Sequence, residues 1–235
     1  MGGMCGRMLL TTPVSELQKV FGFPEAPNLA PRWNIAPTQD IAAVRLEDGG
    51  RHLALLRWGL VPHWAADPSV GSRMINARAE TLAEKPAFRT AFRQRRCLIP
   101  IDGFYEWKAL DGGKRKQPYA IRRGDRAPMA LAGLWESWAG PKGQPLPQPL
   151  QTASIVTTTA NAVLAGLHDR MPVIVAETDW ERWLDPGAPL PAVQDLLRPA
   201  PDGDLEAFPV SPRVNSVRND DESCIVAFDA PPTLF

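Results

Sequence analysis

The chain has 235 residues, of which 44% are hydrophobic and 22% charged, a balance typical of a globular protein with a substantial core. It carries 26 basic and 26 acidic residues, so no overall field attracts polyanions, and nucleic acid would have to bind in a local groove. No apolar run reaches the length of a membrane span and no export signal is present, so we expect a soluble cytoplasmic protein that does not contact a membrane.

The first half of the chain is predicted to begin with a helix and continue mainly as strands. Residues 12–22 have an N-cap, a proline at the first helical position and a closing glycine, which predict a helix. Residues 32–37 are predicted as a loop. Residues 41–45 and 51–58 are predicted to pair as a hairpin, and a helix is expected over 86–94.

The second half is predicted to be strand-rich, with a surface loop at 140–149 that is dense in proline and glycine. Predicted strands cover 97–101, 103–108, 118–122, 130–138, 152–158, 171–175, 208–210 and 224–228. Predicted helices cover 161–167, 179–184 and 191–197. Strands and helices do not alternate as βαβ units, so we predict an α+β fold with a mainly antiparallel or barrel-like sheet. No linker is evident, and residues 1–235 are expected to form one domain.

A cysteine lies almost at the start of the chain, in Met4-Cys5-Gly6-Arg7. If Cys5 became the first residue, it would carry a thiol and an α-amine on adjacent carbons. Such an aminothiol can capture an aldehyde twice, first as an imine and then as a five-membered thiazolidine. The alternative is that Cys5 is a buried apolar residue of a first strand. The 3 cysteines are odd in number, widely separated and without zinc-ligand spacing, so we expect free thiols and no bound metal or cofactor.

Three further segments carry polar groups that packing alone does not require. Asn76, Arg78 and Glu80 alternate along one segment, so in an extended backbone they would share one face. Glu106 lies among aromatic residues, which should raise its pKa and suit it to moving protons near neutrality. His168 sits at a helix-to-strand junction, where a loop can present it to a cleft. Each could instead be a solvated surface residue or a locally bonded side chain.

Tryptophans and arginines offer the means to bind unpaired nucleic acid. Trp58 and Trp64 lie in a loop with glycine and proline, and exposed aromatic rings of this kind stack unpaired bases. Arginines could line the same groove despite the zero net charge; those considered are Arg7, Arg73, Arg78, Arg89 and Arg170. The alternative is that most of the 8 tryptophans are core residues.

Six motifs occur in a characteristic order and together resemble one family. They are Met4-Cys5-Gly6-Arg7, Trp33-Asn34-Ile35-Ala36-Pro37, Trp58-Gly59-Leu60-Val61-Pro62, Ile75-Asn76-Ala77-Arg78-Ala79-Glu80-Thr81, Gly103-Phe104-Tyr105-Glu106-Trp107 and His168-Asp169-Arg170-Met171-Pro172. Val210-Ser211-Pro212-Arg213-Val214-Asn215 fits the closing segment. The chain thus resembles the SRAP family, the SOS response-associated peptidases, also called abasic site processing proteins. The resemblance spans nearly the whole chain and implies a compact α+β domain with a bifurcated or barrel-like sheet.

The resemblance implies a sensor that bonds covalently to abasic sites in single-stranded DNA during the DNA damage response. Cys5 would be the nucleophile, and Glu106 would handle protons of the α-amine and the imine. His168 would assist opening of the sugar, and Asn76 would orient the amine, the aldehyde or a phosphate. Crosslinking should protect the strand from scission, although a Schiff-base route could give some lyase activity. The expected state is a cytoplasmic monomer, associated with the nucleoid during damage.

The DNA contacts implied by the resemblance involve basic and aromatic side chains. Phosphates would be held by arginines, and Trp64 with Pro37 would stack or wedge at the lesion. The expected DNA-binding set is Arg7, Pro37, Trp58, Trp64, Arg78, Arg89 and Arg170.

One departure from the family pattern concerns the start of the chain. Met1-Gly2-Gly3 precedes Met4, so ordinary methionine removal would leave the nitrogen of Cys5 in an amide. Residues 1–4 are therefore expected to be a processed or added leader. Two alternatives remain open at this stage: a cysteine peptidase that cuts before Cys5, and a non-catalytic reader of single-stranded or modified DNA.

Overall fold

The structure is a computed structural model that describes residues 5–113 and 115–228, so the expected leader of residues 1–4 lies outside it. Within the described residues, short strands joined by turns and a few short helices confirm the predicted α+β class. The strands are β1 (Met8–Leu10), β2 (Arg32–Ile35), β3 (Asp40–Glu47), β4 (Gly50–Trp58), β5 (Asn76–Arg78), β6 (Arg96–Ile101), β7 (Gly103–Leu110), β8 (Arg115–Arg123), β9 (Met129–Trp138), β10 (Leu150–Thr159), β11 (Arg170–Pro172) and β12 (Leu205–Pro209). The helices are α1 (Val14–Phe21), α2 (Arg89–Gln94), α3 (Ala162–Ala165), α4 (Trp180–Leu184) and α5 (Leu190–Gln194).

The strands form two sheets. The first has the order β12-β8-β7-β1-β2, with antiparallel neighbours throughout. The second contains β10, β4, β3, β6 and β9, and β9 pairs back with β10, so these strands form a ring. This ring of strands is what the structure shows where a barrel-like sheet was expected. β10 also pairs with β5 and β11, so it connects these two short strands to the ring.

Two apolar clusters lie on opposite faces of the first sheet. The main core contains Met8 and Phe104 together with side chains of the ring. A smaller cluster, here called the outer cluster, packs on the other face. Its buried members are Leu9, Tyr105, Ala120, Val210, Val214 and Cys224. Because successive strand residues point to opposite faces, β1 and β7 each contribute to both clusters.

Local signals place several elements correctly. α1 ends at Gly22, whose φ of 72° is the left-handed conformation that a glycine C-cap adopts. β3 and β4 pair as the predicted hairpin through a two-residue turn at Asp48 and Gly49, with φ of 47° and 79°. None of the helices in the described part of the chain is long and apolar enough to cross a membrane.

Three predictions are corrected by long-range pairing. Residues 32–35 are not a loop: they form β2, which is extended because it pairs with β1. The strand predicted over 224–228 is a single bridge, Val210 to Ala227, after a 3-10 turn at Glu222–Cys224. β11 ends at Pro172 rather than at residue 175, since the chain then moves from β10 to β9, where Ile174 bridges to Leu131.

Candidate functional site

Cys5, Asn76 and Glu106 meet at one place in the fold. The backbone nitrogen of Cys5 donates a hydrogen bond to Oε1 of Glu106 at 2.7 Å. The side-chain amide of Asn76 donates to the carbonyl oxygen of Cys5 at 3.4 Å, at the long end of hydrogen-bond distances. Two residues far from Cys5 in sequence therefore bond its backbone nitrogen and its carbonyl oxygen.

Strand pairing brings these residues together. β1 pairs with β7 through Met8 and Phe104, and the Tyr105 nitrogen donates to the Arg7 carbonyl at 3.0 Å. This antiparallel register carries the chain before β1 past Glu106, which lies within β7. Asn76 comes from β5, which is held by its parallel pairing with β10.

Glu106 is poised to exchange protons near neutral pH. The carboxyl is buried, with 2% of the residue exposed, and burial raises its pKa from 4.5 to about 7. Hydrogen bonds from the Cys5 and Trp107 backbone nitrogens and the charge of Lys116 oppose this rise, while the charge of Asp169 adds to it. A carboxyl group in this range can both accept and donate a proton at working pH.

Cys5 is buried, with 1% of the residue exposed. Burial, and secondarily the charge of Glu106, raises the pKa of its thiol well above the usual value, so the sulfur is held as a thiol. Its φ is 20°, which is unusual for a residue with a side chain. The expectation that Cys5 is simply a core residue is therefore half correct: it is buried, but against a titratable carboxyl.

His168 and Asp169 form the turn that leads into β11. The Nδ1 atom of His168 accepts a hydrogen bond from the Arg170 nitrogen at 3.0 Å and also lies 2.9 Å from Oδ1 of Asp169. One nitrogen cannot accept and donate at once, so in the neutral ring that accepts from Arg170 the proton is on Nε2. The charge of Asp169 contributes to the raised pKa of Glu106, while the hydrogen bonds of His168 stay within its own turn.

Arg170 does not present its guanidinium to solvent, contrary to the expectation that it holds phosphates. It is buried and pairs with both carboxylate oxygens of Glu80, at 2.6 and 2.9 Å. It also donates to the Thr157 carbonyl at 2.6 Å. The hydrogen bond from Arg170 lowers the pKa of Glu80. The extended segment predicted to carry Asn76, Arg78 and Glu80 ends at Arg78, and Glu80 lies in the turn that follows β5.

Arg7 is likewise engaged within the protein. Its Nη1 donates to Oδ1 of Asn34 at 2.7 Å and to the Val214 carbonyl at 2.6 Å, and its guanidinium lies 5.7 Å from the Trp107 ring centroid. Burial lowers its pKa. In this geometry Arg7 ties strands to the C-terminal part of the chain rather than pointing at a groove.

The two tryptophans proposed to stack bases differ in position. Trp58 is fully buried and its ring nitrogen donates to the Ile75 carbonyl at 2.9 Å, so the expectation that it stacks a base is wrong. Trp64 is 58% exposed and can offer a ring face to a ligand. Pro37 is half-buried at the start of the turn between β2 and β3.

Several expected cations remain at the surface. Arg73, Arg78 and Arg89 are exposed. The ion pairs between described residues include none of the three. These cations are available to phosphates. No group of histidine, cysteine, aspartate and glutamate in the described ranges could hold a metal ion. Cys5, Cys97 and Cys224 are all free thiols.

Two charged residues that act on Glu106 are not predicted from the sequence. Asp169 raises the pKa of Glu106 and Lys116 lowers it. Asp169 adjoins His168 in a quoted motif, so a signal for it exists. Lys116 lies on β8, and only the pairing of β7 with β8 brings it near.

Most of the chain matches a known protein family and two similar proteins of one bacterium. The family model of the SOS response associated peptidase (SRAP) matches residues 4–217. The abasic site processing protein YoaM of Bacillus subtilis is 43% identical over 92% of this chain and 95% of its own length. YoqW of the same organism, also an abasic site processing protein, is 42% identical over 94% of this chain and 99% of its own length.

Solved structures share the fold. A protein from Bacteroides thetaiotaomicron superposes with a TM-score of 0.85, at 23% identity, over 95% of this chain and all of its own. A phage-related protein from Bordetella bronchiseptica gives a TM-score of 0.69, at 33% identity, over 88% of this chain and 94% of its own. With the family model matching most of its length and relatives above 40% identity over more than nine-tenths of it, this chain belongs to the SOS response associated peptidase (SRAP) family.

Proposed function

We propose that this chain processes abasic sites by bonding covalently to their aldehyde in single-stranded DNA, through the α-amine and thiol of Cys5. The observation that carries the proposal is the 2.7 Å contact between the Cys5 nitrogen and Glu106, a carboxyl with a pKa of about 7. The names of the Bacillus relatives, which are abasic site processing proteins, support the same substrate. We infer that it acts as a monomer in the cytoplasm.

The chemistry needs the nitrogen of Cys5 to be an amine. While Met4 remains attached, that nitrogen is an amide without a basic lone pair and cannot form an imine. Once it is freed, Glu106 accepts a proton from the α-ammonium, and the neutral amine adds to the aldehyde carbon. Loss of the hydroxyl as water, protonated by Glu106, gives the protonated imine and leaves Glu106 ionised.

Ring closure consumes the second nucleophile. The Cys5 sulfur adds to the carbon of the protonated imine while ionised Glu106 takes the thiol proton, and the nitrogen keeps its own proton, so atoms and charge balance. Because the pKa of the thiol is raised, it needs a base at this step, and Glu106 is the carboxyl beside it. The thiazolidine no longer contains the imine that promotes strand scission. We expect His168 to assist sugar opening from the turn next to Asp169.

DNA binding rests on side chains that are exposed. An abasic site has no base to read, so recognition uses phosphates and shape. Arg78 and Arg89 are exposed cations, and Trp64 is an exposed ring that could stack on a base. We expect Pro37, half-buried in the turn between β2 and β3, to wedge beside a base. Preference for a single strand follows from the same surfaces, since a single strand needs no nucleotide to be extracted from a duplex.

The test compares protein that begins at Cys5 with protein that keeps Met4, each incubated with single-stranded DNA containing one abasic site. Intact mass should show a one-to-one adduct that survives denaturation only when Cys5 is first. Cys5→Ala should abolish it, whereas Cys97→Ala, which removes another buried free thiol, should not. An adduct on protein that retains Met4 would refute the requirement for a free amine. Salt-sensitive binding without any adduct would favour a non-catalytic reader.

A second candidate function is cleavage of the Met4–Cys5 bond by the protein itself. The positive φ of Cys5 and the contact of its amide nitrogen with Glu106 favour it. Ionised Glu106 would take the thiol proton as the sulfur attacks the Met4 carbonyl, and would donate that proton to the departing nitrogen as the acyl group passes to sulfur. Water would then hydrolyse the thioester. The test measures the intact mass of purified protein over time. The mass should fall by that of residues 1–4 in the wild type and stay constant in Cys5→Ala. An unchanged mass in the wild type would exclude self-cleavage.

A further inference from the structure

The residues on either side of the Cys5–Glu106 contact are tied to one segment near the C-terminus. We call residues 211–220 the tail segment; it follows the bridge at Val210 and passes over the outer cluster. The tail segment touches both chain stretches that meet at the site: Arg7, which directly precedes β1, and Trp107 in β7.

Arg7 makes the first tie. It lies two residues after Cys5, and its carbonyl accepts the Tyr105 nitrogen, one residue before Glu106, at 3.0 Å. Its side chain points to the outer face, where Nη1 donates to the tail carbonyl of Val214 and to Asn34. A rotation of this segment would break both side-chain bonds, so the outer contacts fix the backbone that carries Cys5.

Trp107 makes the second tie. It follows Glu106 directly in β7, so its side chain lies on the opposite face of the sheet from the carboxyl. The ring nitrogen donates to Oδ1 of Asn215 at 2.7 Å, and the Arg7 guanidinium stands over the ring. Because the two side chains point to opposite faces of β7, fixing the Trp107 ring on the outer face also fixes the backbone orientation that points Glu106 inward.

Asn34 anchors the tail segment itself. This side chain is fully buried, and its amide nitrogen donates to the carbonyls of Val214, Ser216 and Asn219 at 3.2, 3.0 and 2.6 Å. The backbone nitrogen of Asn34 donates to Oδ1 of Asp220 at 2.9 Å. A buried amide with all of these bonds specifies one arrangement, because a different tail conformation would leave polar groups without partners.

We propose that the tail segment is the positioning element of the site, holding Cys5 and Glu106 at bonding distance through Arg7 and Trp107. Asn34 and Asn215 are then positioning residues that touch neither DNA nor the reacting atoms. The effect of the tail segment on the rate of adduct formation rests on the proposed function, whereas its effect on the Cys5–Glu106 geometry does not. Small errors in such geometry can cost about 100-fold in rate.

The test breaks the bond between Trp107 and Asn215 from each side. Asn215→Ala removes the acceptor, Trp107→Phe removes the donor, and the double variant removes both. Asn215→Asp keeps an acceptor oxygen and serves as the rescue. Arg213→Ala is the matched control, since Arg213 lies in the tail segment but pairs with Asp221 and Ser223.

Two readouts separate positioning from mere folding. The first is the rate constant of adduct formation at saturating abasic single-stranded DNA, with DNA affinity measured separately. The second needs no DNA: titration of the Glu106 carboxyl carbon by NMR in folded protein. Asn215→Ala and Trp107→Phe should each lower the rate constant about 10-fold or more, leave DNA affinity within about twofold, and shift the titration midpoint below 7 as water reaches the carboxyl.

The double variant should be no slower than either single variant, because one bond is lost in all three. Asn215→Asp and Arg213→Ala should behave as the wild type. The proposal is overturned if Asn215→Ala changes neither readout, or if Arg213→Ala changes them equally. If the wild type forms no adduct, the proposed function is wrong, and the Glu106 titration still decides whether the tail segment positions the pair.

Discussion

Replacing Glu106 with glutamine should make the protein that keeps Met4 more stable above pH 7, at the expense of the chemistry. The pKa of Glu106 is about 7 when folded, against 4.5 for an ordinary glutamate. Between these values the folded state holds a proton that the unfolded chain has released. The free energy of unfolding therefore falls as pH rises through this window, and the loss is complete above about pH 7.

The size of the effect follows from the same pKa values. A tenfold change in a protonation equilibrium is worth about 1.36 kcal/mol, so ionised Glu106 destabilises the fold by about 3 kcal/mol. Glutamine has nearly the same shape, does not titrate and keeps an oxygen for the Cys5 nitrogen. The free energy of unfolding of the Glu106→Gln variant, relative to that of the wild type, should thus rise by about 3 kcal/mol between pH 4.5 and pH 8.

Urea unfolding of both proteins at several pH values measures the difference directly. Glu25→Gln is a control of opposite sign, because a hydrogen bond from the Leu53 nitrogen lowers the pKa of Glu25. Its stabilising contribution is present above the ordinary glutamate pKa and is lost on acidification. Parallel curves for wild type and Glu106→Gln from pH 5 to 8 would refute the raised pKa. In protein that begins at Cys5, the same variant should slow adduct formation about 100-fold or more.

Three further predictions concern single side chains, and the first two compare residues that look alike in sequence. Trp58→Ala should lower the free energy of unfolding by about 3–5 kcal/mol, whereas Trp64→Ala should leave it nearly unchanged and weaken single-strand binding by about 1–3 kcal/mol; thermal unfolding and a binding titration measure both. Arg170→Ala should cost about 2 kcal/mol of stability, while Arg78→Ala should reduce the salt slope of DNA binding by about 0.7 without changing the melting temperature. Gly59→Ala should prevent stable folding, detected by loss of the cooperative melting transition, because its φ is 126° and a Cβ there would lie 2.6 Å from a carbonyl oxygen.

Local sequence determined the elements whose causes lie within a few residues. The glycine that ends α1 and the Asp48-Gly49 turn of the β3–β4 hairpin need only the backbone conformations of their own residues. The motifs also singled out Cys5, Asn76 and Glu106, because a cysteine near the terminus and a carboxylate among aromatic residues are chemically unusual wherever they fold.

Only the tertiary structure decided which side chains are free to act. Trp58 and Trp64 lie in one predicted loop, yet one is buried and the other exposed, because burial depends on what packs against a residue and not on its neighbours in sequence. Arg170 and Arg7 carry the same charge as Arg78, but their guanidinium groups bond to partners within the protein that lie far away in sequence. The meeting of Cys5 with Glu106 is of the same kind: it exists because β1 pairs with β7, and pairing across about a hundred residues leaves no trace in either motif alone.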